Sequence, residues 1–205
     1  MISEDGVLSN VVNDNKIIIP LHKPGLKEKY FFLFSGMIVS IPITFFVNIF
    51  SSHLCFLLPV FYSELCAVGF FAPVIEEFSK AYPLFYRHGE TEKSIFILGF
   101  LVGLGFGLTE FFIYVFGGAS VYIRLPGIFF HAASASITAY GIATNRAIPF
   151  YLLAIALHLS YNISVTFGNL FWLIVAYVFL IITYFLSWHL YHKTSERAAG
   201  SVQFS

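Results

Sequence analysis

Glu76, Glu77 and Lys80 stand in the middle of FFAPVIEEFSKAYPLFY, residues 70–86, a stretch that is apolar and aromatic at both ends. Glu110 follows in FGLTE, Arg124 and His131 in RLPGIFFH, and His158 with Asn162 in HLSYN, each within an apolar run. Two carboxylates beside one water cannot both ionise cheaply, so such a pair can hold an acid and a base together. A neutral imidazole and an amide one helical turn apart can donate hydrogen bonds to a developing oxyanion. Glu76, Glu110, His131 and His158 also make a divalent-metal donor set that leaves a position open for water. Either arrangement describes hydrolysis of a carbonyl bond. The structural alternative for Glu76, Glu77 and Lys80 is a buried ion pair that only fixes helix packing.

The elements that must hold these groups are membrane helices. Of the 205 residues, 58% are hydrophobic and only 11% charged, against roughly a quarter charged in soluble domains. Apolar windows long enough to cross a hydrocarbon core recur at about 30–50, 63–86, 94–116, 124–143, 149–167 and 170–189. The expected fold is all-α, a polytopic integral membrane bundle of about six helices. Residues 1–29 form a short cytoplasmic tail, 30–191 the helical membrane domain, and 192–205 a second cytoplasmic tail. Residues 51–62 make an apolar connection too short to cross alone, although pairing with a neighbouring helix would let them add a segment. Cys55 and Cys66 fit no metal or redox spacing and read as small hydrophobes. Net charge is zero with no basic run, which argues against a nucleic-acid partner.

Lys and Arg near helix ends accumulate on the cytoplasmic side. Six helices place Lys16, Lys23, Lys27, Lys29, Arg87, Lys93, Arg146, Lys193 and Arg197 together on one side and Arg124 alone on the other. Both termini are therefore expected in the cytoplasm, in a multi-pass protein of the cell membrane. Within the bilayer, Glu76, Glu77 and Lys80 left unpaired would cost on the order of 8 kcal/mol. Spacings of i,i+4 and i,i+3 let Lys80 pair with one glutamate and leave the other free. Gly99, Gly103 and Gly107 make a small-residue stripe for close helix approach, with Glu110 on nearly the same face.

EEFSK at 76–80 resembles an EExxK motif, FGLTE at 106–110 an FxxxE motif, and HLSYN at 158–162 an HxxxN motif, with His131 on an arginine-started helix between them. In this order on successive helices they resemble the PrsW family of intramembrane proteases, in the wider superfamily of CAAX proteases and bacteriocin-processing enzymes. The resemblance implies a peptidase acting on membrane-tethered proteins within the lipid bilayer. It implies Glu76 as general base, Glu77 paired with Lys80, Glu110 sharing the water or holding a metal, and His158 and Asn162 at the oxyanion. His131 would be a further essential polar group, and Arg124 a supporting one. The family is classed with metallopeptidases, which implies a divalent metal such as zinc, whereas the CAAX relatives are discussed as metal-independent glutamate enzymes. Phe111 departs from the pattern, because an Asn often follows the second-motif glutamate. No HExxH, GxGD or GxSG is present. Two competing readings are an ion- or proton-coupled transporter, since intramembrane Glu, Lys and His also mark ion pathways, and a catalytically silent member that binds membrane proteins.

Overall fold

The six apolar windows fold as six consecutive helices in a computed structural model that describes residues 22–87 and 91–199. They are α1 (Leu26–Cys55), α2 (residues 60–86), α3 (Glu92–Phe116), α4 (Val121–Ala143), α5 (Ala147–Thr166) and α6 (Leu170–Lys193). The expected N-terminal tail up to residue 21, Lys16 with it, and residues 88–90 of the polar turn lie outside the described residues. Residues 51–62 add no element of their own: they end α1, leave a link at 56–59 and begin α2. The chain is an all-helical membrane bundle. Four helices, α1, α3, α5 and α6, are long and apolar enough to cross a membrane by length and composition.

The other two are the polar helices, and their positions explain why polarity is tolerated. Every residue of α4 from Phe130 to Ala139 is buried, and the helix touches α2, α3, α5 and α6. A helix packed on all sides need not match lipid. Close approach comes from the glycine stripe: a Cβ on Gly99, Gly103 or Gly107 would meet α4 at 2.3, 2.2 and 2.7 Å. A second close contact, α1 against α3, uses Gly36 and Gly105, whose added Cβ atoms would each lie 2.0 Å from a backbone oxygen of the opposite helix. The sequence reading singled out the first stripe and not this one.

Helix α2 is irregular for covalent reasons. Proline has no N–H and clashes with the preceding turn, and Pro73 and Pro83 flank the glutamates. Before Pro73 the backbone widens into a π-helical segment, Leu65–Phe71, and from Tyr82 to Tyr86 it tightens into a 3₁₀ turn around Pro83. In the widened segment the Ala72 N–H bonds to Ala67 O, so the next donor in register for Val68 O would be Pro73, which has none. Asn162 Nδ2 of α5 fills that place at 3.0 Å. Pro83 deprives Ser79 O in the same way, and Ser40 Oγ of α1 donates to it at 2.8 Å. Two neighbouring helices thus hold α2 on either side of its charged turn.

One end of the bundle gathers the first and last described residues and most of the described Lys and Arg side chains. Lys23 pairs with Glu196 at 3.4 Å, and the start of α3 bonds the segment after α6 through Glu92 N to Arg197 O at 3.0 Å and Lys93 N to Ser195 O at 3.1 Å. The opposite end corrects the reading of the cysteines. Cys55 and Cys66, taken as unlinked small hydrophobes, form a disulfide across a sequence separation of 11, because the four-residue link turns the end of α1 back beside the first turns of α2.

Candidate active site

Helices α2 to α5 bring the ionisable residues of the sequence into one buried cluster. On α2, Glu76, Glu77 and Lys80 are all buried, the last two completely. Glu77 Oε1 accepts from three groups: Lys80 Nζ at 2.5 Å, His158 Nδ1 at 2.8 Å and Ser134 Oγ at 3.0 Å. Its ion pair is therefore embedded in hydrogen bonds at Oε1, which offset part of the cost of burying two charges, while Oε2 is buried without a partner. Lys80 Nζ also lies 3.0 Å from Ser134 Oγ, 3.2 Å from His131 Nδ1 and 5.3 Å from the Phe106 ring centre.

Glu76 differs in what it faces: its Oε2, like Glu77 Oε2, is buried without a hydrogen-bond partner, but it lies 3.6 Å from His158 Nε2 and Glu76 lines the cavity, which Glu77 does not. Glu110 on α3 meets His131 Nε2 at 2.5 Å. Glu76, Glu110, Arg124, His131, His158 and Asn162 all line a cavity of about 380 Å³. The cavity also reaches Ser52 and Glu64, near the disulfide-bearing end of the bundle. Arg124 lies on its wall with Cζ 3.6 Å from the Tyr114 ring centre, and Phe111 lines it as well.

All the residues singled out in the sequence thus meet at one place, and Lys80 selects Glu77 rather than Glu76. Asn162 has one amide hydrogen committed to Val68 O. Sequence reasoning missed Ser134, which touches both members of the ion pair. Its only signal was its position three residues after His131, hence on the same helix face. Tyr114 was likewise hidden among α3's aromatic residues, whereas Phe106 opens the FGLTE motif.

Glu76, His131 and His158 offer ligand atoms within 4.8 Å of one another, a span that one divalent cation can bridge. The unpartnered Oε2 of Glu76 fits such an ion, since a buried carboxylate oxygen without a donor calls for positive charge or water. Glu110 stands outside this trio, on His131.

Buried carboxylates and imidazoles around a cavity in a helical membrane bundle mark a functional site within the membrane. A family model described as PrsW family intramembrane metalloprotease matches residues 29–188, most of the chain. The chain belongs to that family; it is an intramembrane protease, a membrane peptidase whose substrates are membrane proteins. No curated protein and no solved structure matches it.

Proposed function

We propose that the chain hydrolyses a peptide bond of a membrane-tethered protein with a water activated by Glu76. The observation that carries this is the facing pair of Glu76 Oε2 and His158 Nε2, 3.6 Å apart, with no donor on the carboxylate oxygen. A water between them gives one hydrogen to each and directs its oxygen lone pair into the cavity. Glu76 takes the proton as the water oxygen bonds to the scissile carbonyl carbon, and the same proton then serves the departing amine. The second amide hydrogen of Asn162 and the guanidinium of Arg124, both on the cavity wall, are the donors for the oxyanion. This revises the expectation for His158, whose Nδ1 is engaged with Glu77. Glu110 orients His131.

A divalent metal such as zinc would be held by Glu76, His131 and His158 and would supply Lewis-acid polarisation of the carbonyl and a more acidic bound water. Glu77, behind His158, would then act as the carboxylate that orients a ligating imidazole.

The six helices are all taken as spans, with the end bearing the chain termini in the cytoplasm of a cell-membrane protein. Two features support this orientation: Lys and Arg collect at that end, and the disulfide lies at the other, where an oxidising compartment would keep it. The cavity then opens toward the outer face, and cleavage takes place in the outer half of the bilayer. The test is cleavage of a membrane-tethered reporter in proteoliposomes, with metal analysis and a chelator arm. Glu76→Gln is expected to abolish cleavage while insertion and thermal stability are retained. Cleavage at the wild-type rate would refute the assignment, and metal-free protein that cleaves normally would exclude the metal-dependent version.

A further inference from the structure

His131 and His158 sit side by side, ring centres 5.2 Å apart, yet their hydrogen-bond partners demand opposite proton positions. A carboxylate only accepts and an ammonium only donates. His158 Nδ1 faces Glu77 Oε1 at 2.8 Å, so Nδ1 carries the ring proton and Nε2 presents its lone pair toward Glu76. His131 Nδ1 faces Lys80 Nζ at 3.2 Å, so there Nδ1 presents the lone pair. Its proton lies on Nε2, where Glu110 Oε2 accepts it at 2.5 Å.

One group of residues imposes both choices. Lys80 has three hydrogens, and three acceptors surround it: Glu77 Oε1, Ser134 Oγ and His131 Nδ1. Ser134 accepts from Lys80 and has one hydrogen to give, with Glu77 Oε1 at 3.0 Å the nearer acceptor and the charged one, and His131 O at 3.2 Å the other. The ammonium is thereby aimed from α2 at α4, and the carboxylate at α5.

We propose that Lys80, Glu77 and Ser134 form a tautomer lock that makes His158 the lone-pair partner of Glu76 and His131 an N–H donor toward Glu110. Lys80 and Ser134 are positioning residues in this device, acting through the two imidazoles. The proposal rests on the reading of Glu76 and His158 as the water-binding pair and adds what keeps that pair competent. If His158 carried its proton on Nε2, it would donate to Glu76 directly and take the place of the water.

The experiment is nitrogen NMR of the full chain, labelled at histidine and held in lipid nanodiscs. His131→Gln and His158→Gln identify the two rings among the seven histidines. The expected wild-type spectrum shows His158 protonated at Nδ1 and bare at Nε2, and His131 the reverse. Lys80→Met is expected to convert His131 to a mixture of tautomers. Ser134→Ala, a smaller change that preserves the ion pair, is expected to shift part of the same population. Wild-type rings sharing one tautomer, or His131 protonated at Nδ1, would overturn the proposal without any appeal to a variant. So would a His131 pattern unchanged in both variants. If the tautomers are as stated but Glu76→Gln still cleaves, the lock stands and the catalytic reading fails. If Glu76→Gln is inactive and the tautomers differ, the reverse holds.

Discussion

Gly103→Ala is the smallest change that should disturb the site from a distance. Alanine is ordinarily the better helix residue by about 1 kcal/mol, so propensity alone predicts a gain in stability. Packing predicts the opposite. The new methyl would lie 2.2 Å from His131 O, 2.7 Å from Ala135 Cβ and 2.8 Å from Ala132 Cα. Against the 3.4 Å at which ordinary contact begins, the first gap is short by about 1.2 Å, and overpacking of this kind costs about 1–3 kcal/mol. Backbone atoms cannot rotate away, so α3 and α4 must separate. His131 is the residue struck, and Glu110, two turns further along the same face, is its partner at 2.5 Å. A displacement of about 1 Å at a catalytic group can lower a rate by about 100-fold. The assay pairs cleavage of a membrane-tethered reporter with thermal unfolding in detergent. The expected result is a lower unfolding temperature and about a 100-fold loss of cleavage. Gly127→Ala on α4, where the added Cβ meets nothing within 4 Å, should leave stability unchanged or raised. Wild-type cleavage and stability in Gly103→Ala would refute the claim that the stripe sets the spacing of Glu110 and His131.

Lys80→Met should destabilise by about 3–5 kcal/mol, because Glu77 stays buried without its cation, and Lys80→Met/Glu77→Gln should recover much of that in thermal unfolding. The single variant should also bind zinc more tightly in a competition titration, since a positive charge beside His131 is removed; weaker binding would show that Lys80 supports the metal site. Asn162→Leu should lower stability by about 0.5–1.5 kcal/mol by removing the donor to Val68 O, seen as faster exchange or proteolysis near residues 65–71. A membrane-impermeant maleimide should label Cys55 or Cys66 only after reduction, and only from outside the cell; labelling without reductant would disprove the disulfide, and labelling from the cytoplasm would invert the assigned orientation.

The candidate site was legible because charge in an apolar chain is conspicuous and helical spacing is rigid. Spacings of three and four residues put Lys80 within reach of both glutamates, and seven residues put Glu110 on the glycine face. Spacing alone left the choice between the glutamates open and the family resemblance pointed to Glu77; the physical reason lies on other helices, where Ser134 and His158 converge on Glu77. Ser134 itself was invisible because a serine in a run of alanine and serine looks like packing. The π-helical segment was hidden for a related reason. Pro73 announces a lost hydrogen bond, but which carbonyl is orphaned depends on the register of the turns before it. The disulfide depends on how tightly the link at 56–59 turns, which spacing alone does not determine.

The proposed function gives two adjacent glutamates opposite tasks, which is geometrically feasible because a helix advances about 100° per residue. Glu77 points toward α4 and α5, where every donor in reach is spent on one of its oxygens. Each glutamate keeps one buried oxygen without a donor, but Glu76 lines the cavity and its oxygen faces His158 Nε2. A membrane chain could remove the expense of the first by substituting apolar residues for Glu77 and Lys80 together, and packing alone would tolerate that. It would then lose the acceptor that fixes the proton of His158 and the donor that fixes His131. The buried ion pair therefore makes most sense as part of the chemistry of Glu76, and a variant carrying neither charge should fold well and cleave poorly.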